Sequence, residues 1–81
     1  MARVLLVDDD ADYRLLVRLA LEADARYEVV AEARNGLEAV AAADVFHPEV
    51  VLLDCSMPRA DAFDCLPELR RKVDFAMALS V

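Results

Sequence analysis

Two short runs of Val and Leu, Val4-Leu5-Leu6-Val7 and Val50-Val51-Leu52-Leu53, contain no polar residue, and each ends directly on an aspartate. A strand with one wet face alternates apolar and polar side chains, whereas a strand covered on both faces has no reason to alternate. Residues 3–7 and 49–53 therefore read as strands of a parallel sheet covered by helices on both sides. A third strand-like stretch, residues 27–31, lies between them.

The intervening segments read as helices. Within residues 11–24, Tyr13, Leu16, Val17, Ala20 and Leu21 fall at helical spacing and form one apolar stripe, with Arg14, Arg18 and Glu22 elsewhere. Leu15 and Leu19 lie off that stripe and leave the outer face partly apolar. Asp9 or Asp10 is placed to cap the helix start, where unpaired amides favour an anion. Asn35-Gly36 supplies a turn before a second helix over residues 37–44, and Pro48 sets up the next strand. A third helix is expected to begin near Asp61 or Ala62 and run to about Lys72, with Pro67 kinking it or delaying its start. Residues 75–80 read as a fourth strand, although Ala, Met and Leu also suit a helix. The order β-α-β-α-β-α-β predicts one α/β domain over residues 1–81, a doubly wound parallel sheet with right-handed crossovers.

Composition narrows the functions open to such a domain. Apolar residues make up 59% of the chain and mean hydropathy is +0.32, yet no apolar run approaches the ~20 residues of a membrane span. The first strand begins almost at the first residue, which leaves no room for a signal peptide and suggests a soluble, cytoplasmic protein. A net charge of −7 argues against nucleic-acid binding by this domain, because phosphate backbones require a basic face. Cys55 and Cys65 are too far apart for a C-x-x-C pair and His47 has no partner, so the cysteines read as packing residues.

In parallel sheets the working groups gather beyond the carboxyl ends of the strands. Here those ends lead into Asp8-Asp9-Asp10, into Asp54 and into Ser80. Two unit charges 4 Å apart repel by about 4 kcal/mol at an effective dielectric near 20, so clustered carboxylates require a cation. Magnesium suits them: it prefers oxygen, takes one or two carboxylates, keeps several waters and accepts phosphate oxygens. A carboxylate beside such an ion can act as a nucleophile toward phosphorus. The spacing Asp8-x-Asp10-x-Asp12 invites comparison with an EF-hand, but that loop's glycine position holds Tyr13 and its final glutamate position holds Leu19. Asp10 and Asp12 are better read as capping or solvated residues.

The segments Val4–Asp10 and Val50–Pro58 resemble the two signature segments of bacterial response-regulator receiver domains, with an acidic pair, an acceptor Asp and a following Met57-Pro58. Val29–Gly36 is similar to that family's second strand and following loop, and Ala78-Leu79-Ser80 to the end of its fourth strand. The resemblance implies a flavodoxin-like receiver fold and, at these positions, specific roles. Asp54 would be the phosphorylated residue. Asp9 would bind Mg2+ directly, Asp8 through water, and Asp54 and the main-chain carbonyl of Ser56 would supply further ligands. The Ser80 hydroxyl would move to contact the phosphoryl group, and Met57-Pro58 would shape the loop after the acceptor. The implied partner is a sensor histidine kinase or phosphotransfer protein in a phosphorelay, and the domain itself would not be an enzyme.

Some positions depart from the family pattern. Ala62 stands where the family usually has Gly, and Pro67 is unusual in the third helix. The family also carries a Lys on a fifth strand, whereas this sequence ends at Val81, after the expected fourth strand; Lys72 is no substitute. An output domain or partner beyond Val81 is one expectation. A homodimer is another, since a sheet stopping at its fourth strand has an open edge. Two other readings compete: a receiver-like interaction module that is not phosphorylated, and an aspartate-nucleophile phosphatase. The second wants another Asp where Ser56 stands, and places its nucleophile on the first strand.

Overall fold

A computed structural model of the chain describes residues 1–54, 67, 71 and 75–79, with residues 54 and 75–79 entering through their main chain alone. Four strands and two helices are defined: β1 (Ala2–Val7), α1 (Ala11–Glu22), β2 (Tyr27–Ala33), α2 (Gly36–Phe46), β3 (Val50–Asp54) and β4 (Phe75–Leu79). The third helix expected to end near Lys72 lies outside the described residues except at Pro67 and Arg71, which are helical and exposed.

The four strands form one sheet in the order β2-β1-β3-β4, and every pairing is parallel. This matches the doubly wound arrangement expected from the unbroken Val and Leu runs, because β1 and β3 are interior strands flanked on both edges. Their side chains alternate between two buried environments rather than between core and water. Leu5, Val7, Val51 and Leu53 point to one face, where they join Ala33 of β2 and Ala39 and Ala43 of α2 in a closed core. Leu6 and Leu52 belong to the other face and line a shallow apolar cleft with Tyr13 and Val17 of α1. Burying a side chain such as Leu5 or Leu53 contributes roughly 1.5–3 kcal/mol, so these two runs supply much of the driving force.

The helix α2 approaches the sheet through small residues. Gly36, Ala39 and Ala43 are its buried positions, and they bring the helix axis close enough to seal the core. The helix is longer than the 37–44 expected, for two local reasons. Asn35 is an N-cap rather than a turn residue: its side chain accepts a hydrogen bond from the Glu38 amide at 2.8 Å. Glu38 in turn accepts from the Arg34 amide at 3.0 Å, so the first turn is closed from both sides. At the other end His47 adopts the left-handed conformation, φ 49°, ψ 57°, and its amide donates to the Ala43 carbonyl. Arg3 reaches across from β1 to donate to the carbonyls of Phe46 and His47, satisfying acceptors that the helix end leaves open.

The inward face of α1 differs from the expected stripe. Arg14, Val17, Arg18 and Leu21 are the half-buried residues, whereas Leu16 and Ala20 are exposed; Tyr13, though partly exposed, still borders the apolar cleft. The reason is Glu32 on β2, which accepts from Arg14 at 3.0 Å and from Arg18 at 2.8 Å. Pairing draws both guanidinium groups down to the sheet, and their methylene stems cover apolar surface as they go. The apolar outer face noted in the sequence is real: Leu15, Leu16 and Leu19 are all exposed.

Candidate functional site

The site is set by strand register. In the β1–β3 ladder Val7 pairs with Leu53, so one step further along each chain come Asp8 and Asp54, both at the carboxyl edge of the sheet. Asp54 closes β3 with its main chain paired to Leu79, the last residue of β4. Between β1 and β3 the chain order reverses, with β2 on one side and β3 on the other; ligands of open α/β sheets bind at such a point. Ser56 and Ser80 themselves lie outside the described residues.

The three consecutive aspartates of the β1–α1 loop have separate environments. Asp8 is only 4% exposed and extends the β1–β2 ladder, its amide donating to the Ala33 carbonyl at 3.0 Å. Its Oδ1 accepts from the Asp10 amide at 2.9 Å, folding the loop back on itself. Asp9, the next residue, is exposed. Asp10 is the N-cap of α1, with φ −96° and ψ 108°, and its Oδ1 accepts from the amides of Asp12 and Tyr13 at 3.0 and 3.2 Å. Of the two candidates for that cap, Asp10 takes the role, leaving the Asp9 carboxylate free of helix duty.

One residue that shapes this geometry, Arg14, lies off the apolar stripe read from the sequence. Arg14 donates through Nη1 to the Asp8 carbonyl at 2.6 Å and through Nε to Glu32 at 3.0 Å, linking α1, the acidic loop and β2. Burial pushes the Glu32 carboxyl up, but hydrogen bonds from Arg18 and Arg14 outweigh it and hold the group below its ordinary value. The available signal was the spacing of Arg14, Val17, Arg18 and Leu21, which share a helical face, together with one acidic residue on the neighbouring strand.

Among the described residues no three His, Cys, Asp or Glu side chains converge on a common point. Within the acidic loop the described side chains offer oxygen donors, the kind magnesium prefers. The remaining donors expected from the sequence, at Asp54 and Ser56, belong to side chains and segments beyond those described. Among the described residues no helix is long and apolar enough to cross a membrane.

Comparison with known proteins agrees with this topology. The model of the response regulator receiver domain matches residues 4–79. The chemotaxis protein CheY of Listeria monocytogenes is 40% identical over 72 residues, covering 89% of this chain and 60% of that protein. A protein-glutamate methylesterase/protein-glutamine glutaminase of Geobacter metallireducens is 40% identical over 70 residues, covering 86% of this chain but 20% of its own length. The chain therefore spans a fifth to three fifths of these curated relatives. Among solved structures, the complex of the CheA3 P1 domain with CheY6 from R. sphaeroides superposes with a TM-score of 0.86 at 31% identity, covering 98% of this chain and 63% of that one. Further receiver-domain structures superpose with TM-scores of 0.82 to 0.88. With its sheet order, its acidic loop and this match over nearly its whole length, the chain belongs to the response regulator receiver domain family.

Proposed function

We propose that Asp54 accepts a phosphoryl group from a phosphohistidine of a sensor kinase or phosphotransfer protein, in a cytoplasmic phosphorelay. The observation that carries this reading is the register that sets Asp54 at the end of β3 beside Asp8, at the reversal of strand order. In the transfer a carboxylate oxygen of Asp54 attacks phosphorus while the bond to the donor imidazole breaks, the electron pair leaving with that nitrogen. Asp9 would hold Mg2+ directly, Asp8 through a water, and Asp54 and the Ser56 carbonyl would complete the protein's share. Asp8 fits an indirect role, because its Oδ1 already accepts from the Asp10 amide, whereas Asp9 is exposed and uncommitted to the cap. The bound cation would neutralise charge on the transferring oxygens. The Ser80 hydroxyl, following β4, would contact the new phosphoryl group and register its presence. The partner assignment has support in the R. sphaeroides complex, where a related receiver, CheY6, is held by the P1 domain of CheA3.

The test is covalent labelling. Incubated with a small acyl phosphate and magnesium, the protein is expected to gain one phosphoryl group by mass, and Asp54→Asn none. Labelling that survives in Asp54→Asn would place the acceptor elsewhere. No labelling of the wild type by either an acyl phosphate or a phosphorylated kinase domain would leave an interaction module instead.

A further inference from the structure

The interaction that most constrains the acidic loop comes from outside it. Asp8 is held at both of its peptide groups: its amide by the Ala33 carbonyl at 3.0 Å and its carbonyl by Arg14 at 2.6 Å. Those two bonds fix the peptide planes on either side of Asp8 and so fix the direction in which Asp9 leaves the sheet. Arg14 is itself restrained, because its Nε is bonded to Glu32 and its side chain is only 14% exposed. Glu32 is held in turn by Arg18, two turns of chain away from the loop on the same helix face. The chain of contacts therefore runs from β2 through Glu32 and Arg14 to the Asp8 carbonyl. A guanidinium is suited to this place, since its rigid fork serves two acceptors at once where an ammonium serves as a point donor. The charge of Arg14 also reaches Glu38 at the start of α2, where it helps lower that carboxyl behind the larger effect of Arg34.

We infer that Arg14 is a positioning residue of the phosphoacceptor site, aligning the Asp8–Asp9 peptide so that the Asp9 carboxylate is presented to the cation. This inference rests on the reading that Asp9 holds Mg2+. Outer partners that orient a ligand are commonly worth 10- to 100-fold in metal affinity, although they never touch the ion. Arg14 acts on a main-chain carbonyl rather than on the ligand carboxylate itself, so the lower end of that range applies.

The experiment compares wild type, Arg14→Ala, Arg14→Lys and Val17→Ala by NMR, with thermal unfolding measured on each. Val17 is half-buried on the same face of α1 and serves as the control for stability alone. Magnesium is titrated against the Asp9 and Asp10 amide signals, and exchange of the Asp10 amide is measured separately without metal. Arg14→Ala is expected to weaken magnesium binding about tenfold and to speed exchange at Asp10 roughly tenfold. Arg14→Lys should recover only part of each, and Val17→Ala should lower the melting temperature while leaving both unchanged. Equal magnesium affinity and equal exchange in wild type and Arg14→Ala would overturn the inference and leave the site reading intact. Magnesium binding that is absent in the wild type would overturn both, and the exchange arm would still report whether Arg14 holds the loop.

Discussion

Replacing Asp10 by Ala tests the division proposed for the carboxylates of this loop, one capping a helix and one holding a cation. The Asp10 side chain satisfies two amides of the first turn of α1, those of Asp12 and Tyr13, and places a negative charge at the positive end of the helix. Loss of an N-cap of this type costs typically about 1 kcal/mol, within a range of roughly 0.5–2. Two accepted bonds put the expectation at or slightly above that centre, while exposure of Asp10 keeps it from the top of the range. For a chain of 81 residues, about 1 kcal/mol corresponds to a fall of roughly 4–8 °C in the melting temperature. Asp10→Asn retains an acceptor and loses only the charge, so it should recover most of the difference. The assay is thermal and urea unfolding followed by circular dichroism, with and without magnesium. Asp9→Ala is the reciprocal variant: without metal it should unfold as the wild type does, and it should lose the stabilisation that added magnesium provides. If Asp10→Ala melts like wild type but no longer responds to magnesium, the assignment of cap and ligand has been reversed.

Three further outcomes follow from the packing and the ion pairs. The folded-state pKa of Glu32 lies below its ordinary value of 4.5, so its pairing contributes fully above about that pH and is lost as pH falls through the lower, folded value. Glu32→Gln should accordingly flatten the acid limb of the stability curve below about pH 4.5, and an unchanged limb would show that the pairing contributes nothing. Ala43→Leu forces added carbons into a fully covered position on α2 and should lower the urea midpoint by the equivalent of about 1–3 kcal/mol; an unchanged midpoint would mean the helix can lift off the sheet without cost. Made by itself, the 81-residue chain should self-associate through β4, an edge strand among the described residues, and sedimentation showing a monomer at all concentrations would refute this.

The parts of the fold that were legible in the sequence are those where one force dominates. The runs Val4–Val7 and Val50–Leu53 admit few alternatives to strands buried on both faces, and β1 and β3 fall within a residue of the expected bounds. Where two forces compete, the reading failed. Apolar periodicity placed Leu16 and Ala20 of α1 inward, but the ion pairs of Arg14 and Arg18 with Glu32 rotate the helix so that the two arginines face the sheet. That outcome depends on Glu32 standing under the helix, which is a matter of register. The β1–β2 register also slips between Val4 and Leu5, so that Leu5 pairs with Ala31 rather than with Val30. Without the slip Val7 would not pair with Ala33, and the carbonyl that receives the Asp8 amide would be displaced. No local pattern in the sequence announces an irregularity of that kind.

The same distinction explains why three adjacent aspartates, indistinguishable by residue type, divide their work. Strand pleat alternates successive side chains, and the chain leaves β1 at Val7. Asp8 is the first residue past the ladder, still close enough to donate to Ala33, so it is buried and its carboxylate turns back on the loop. Asp10 must begin a helix, and a helix start leaves amides that the nearest carboxylate accepts. Asp9 is the residue left between a strand that has ended and a helix that has not begun. Neither element claims its side chain, and it stands exposed at the edge where β3 delivers Asp54. A carboxylate kept free by the demands on its two neighbours can hold a cation without weakening the fold. On the proposed reading the acidic run uses all three members, since the two that stabilise structure leave the third exposed for the cation.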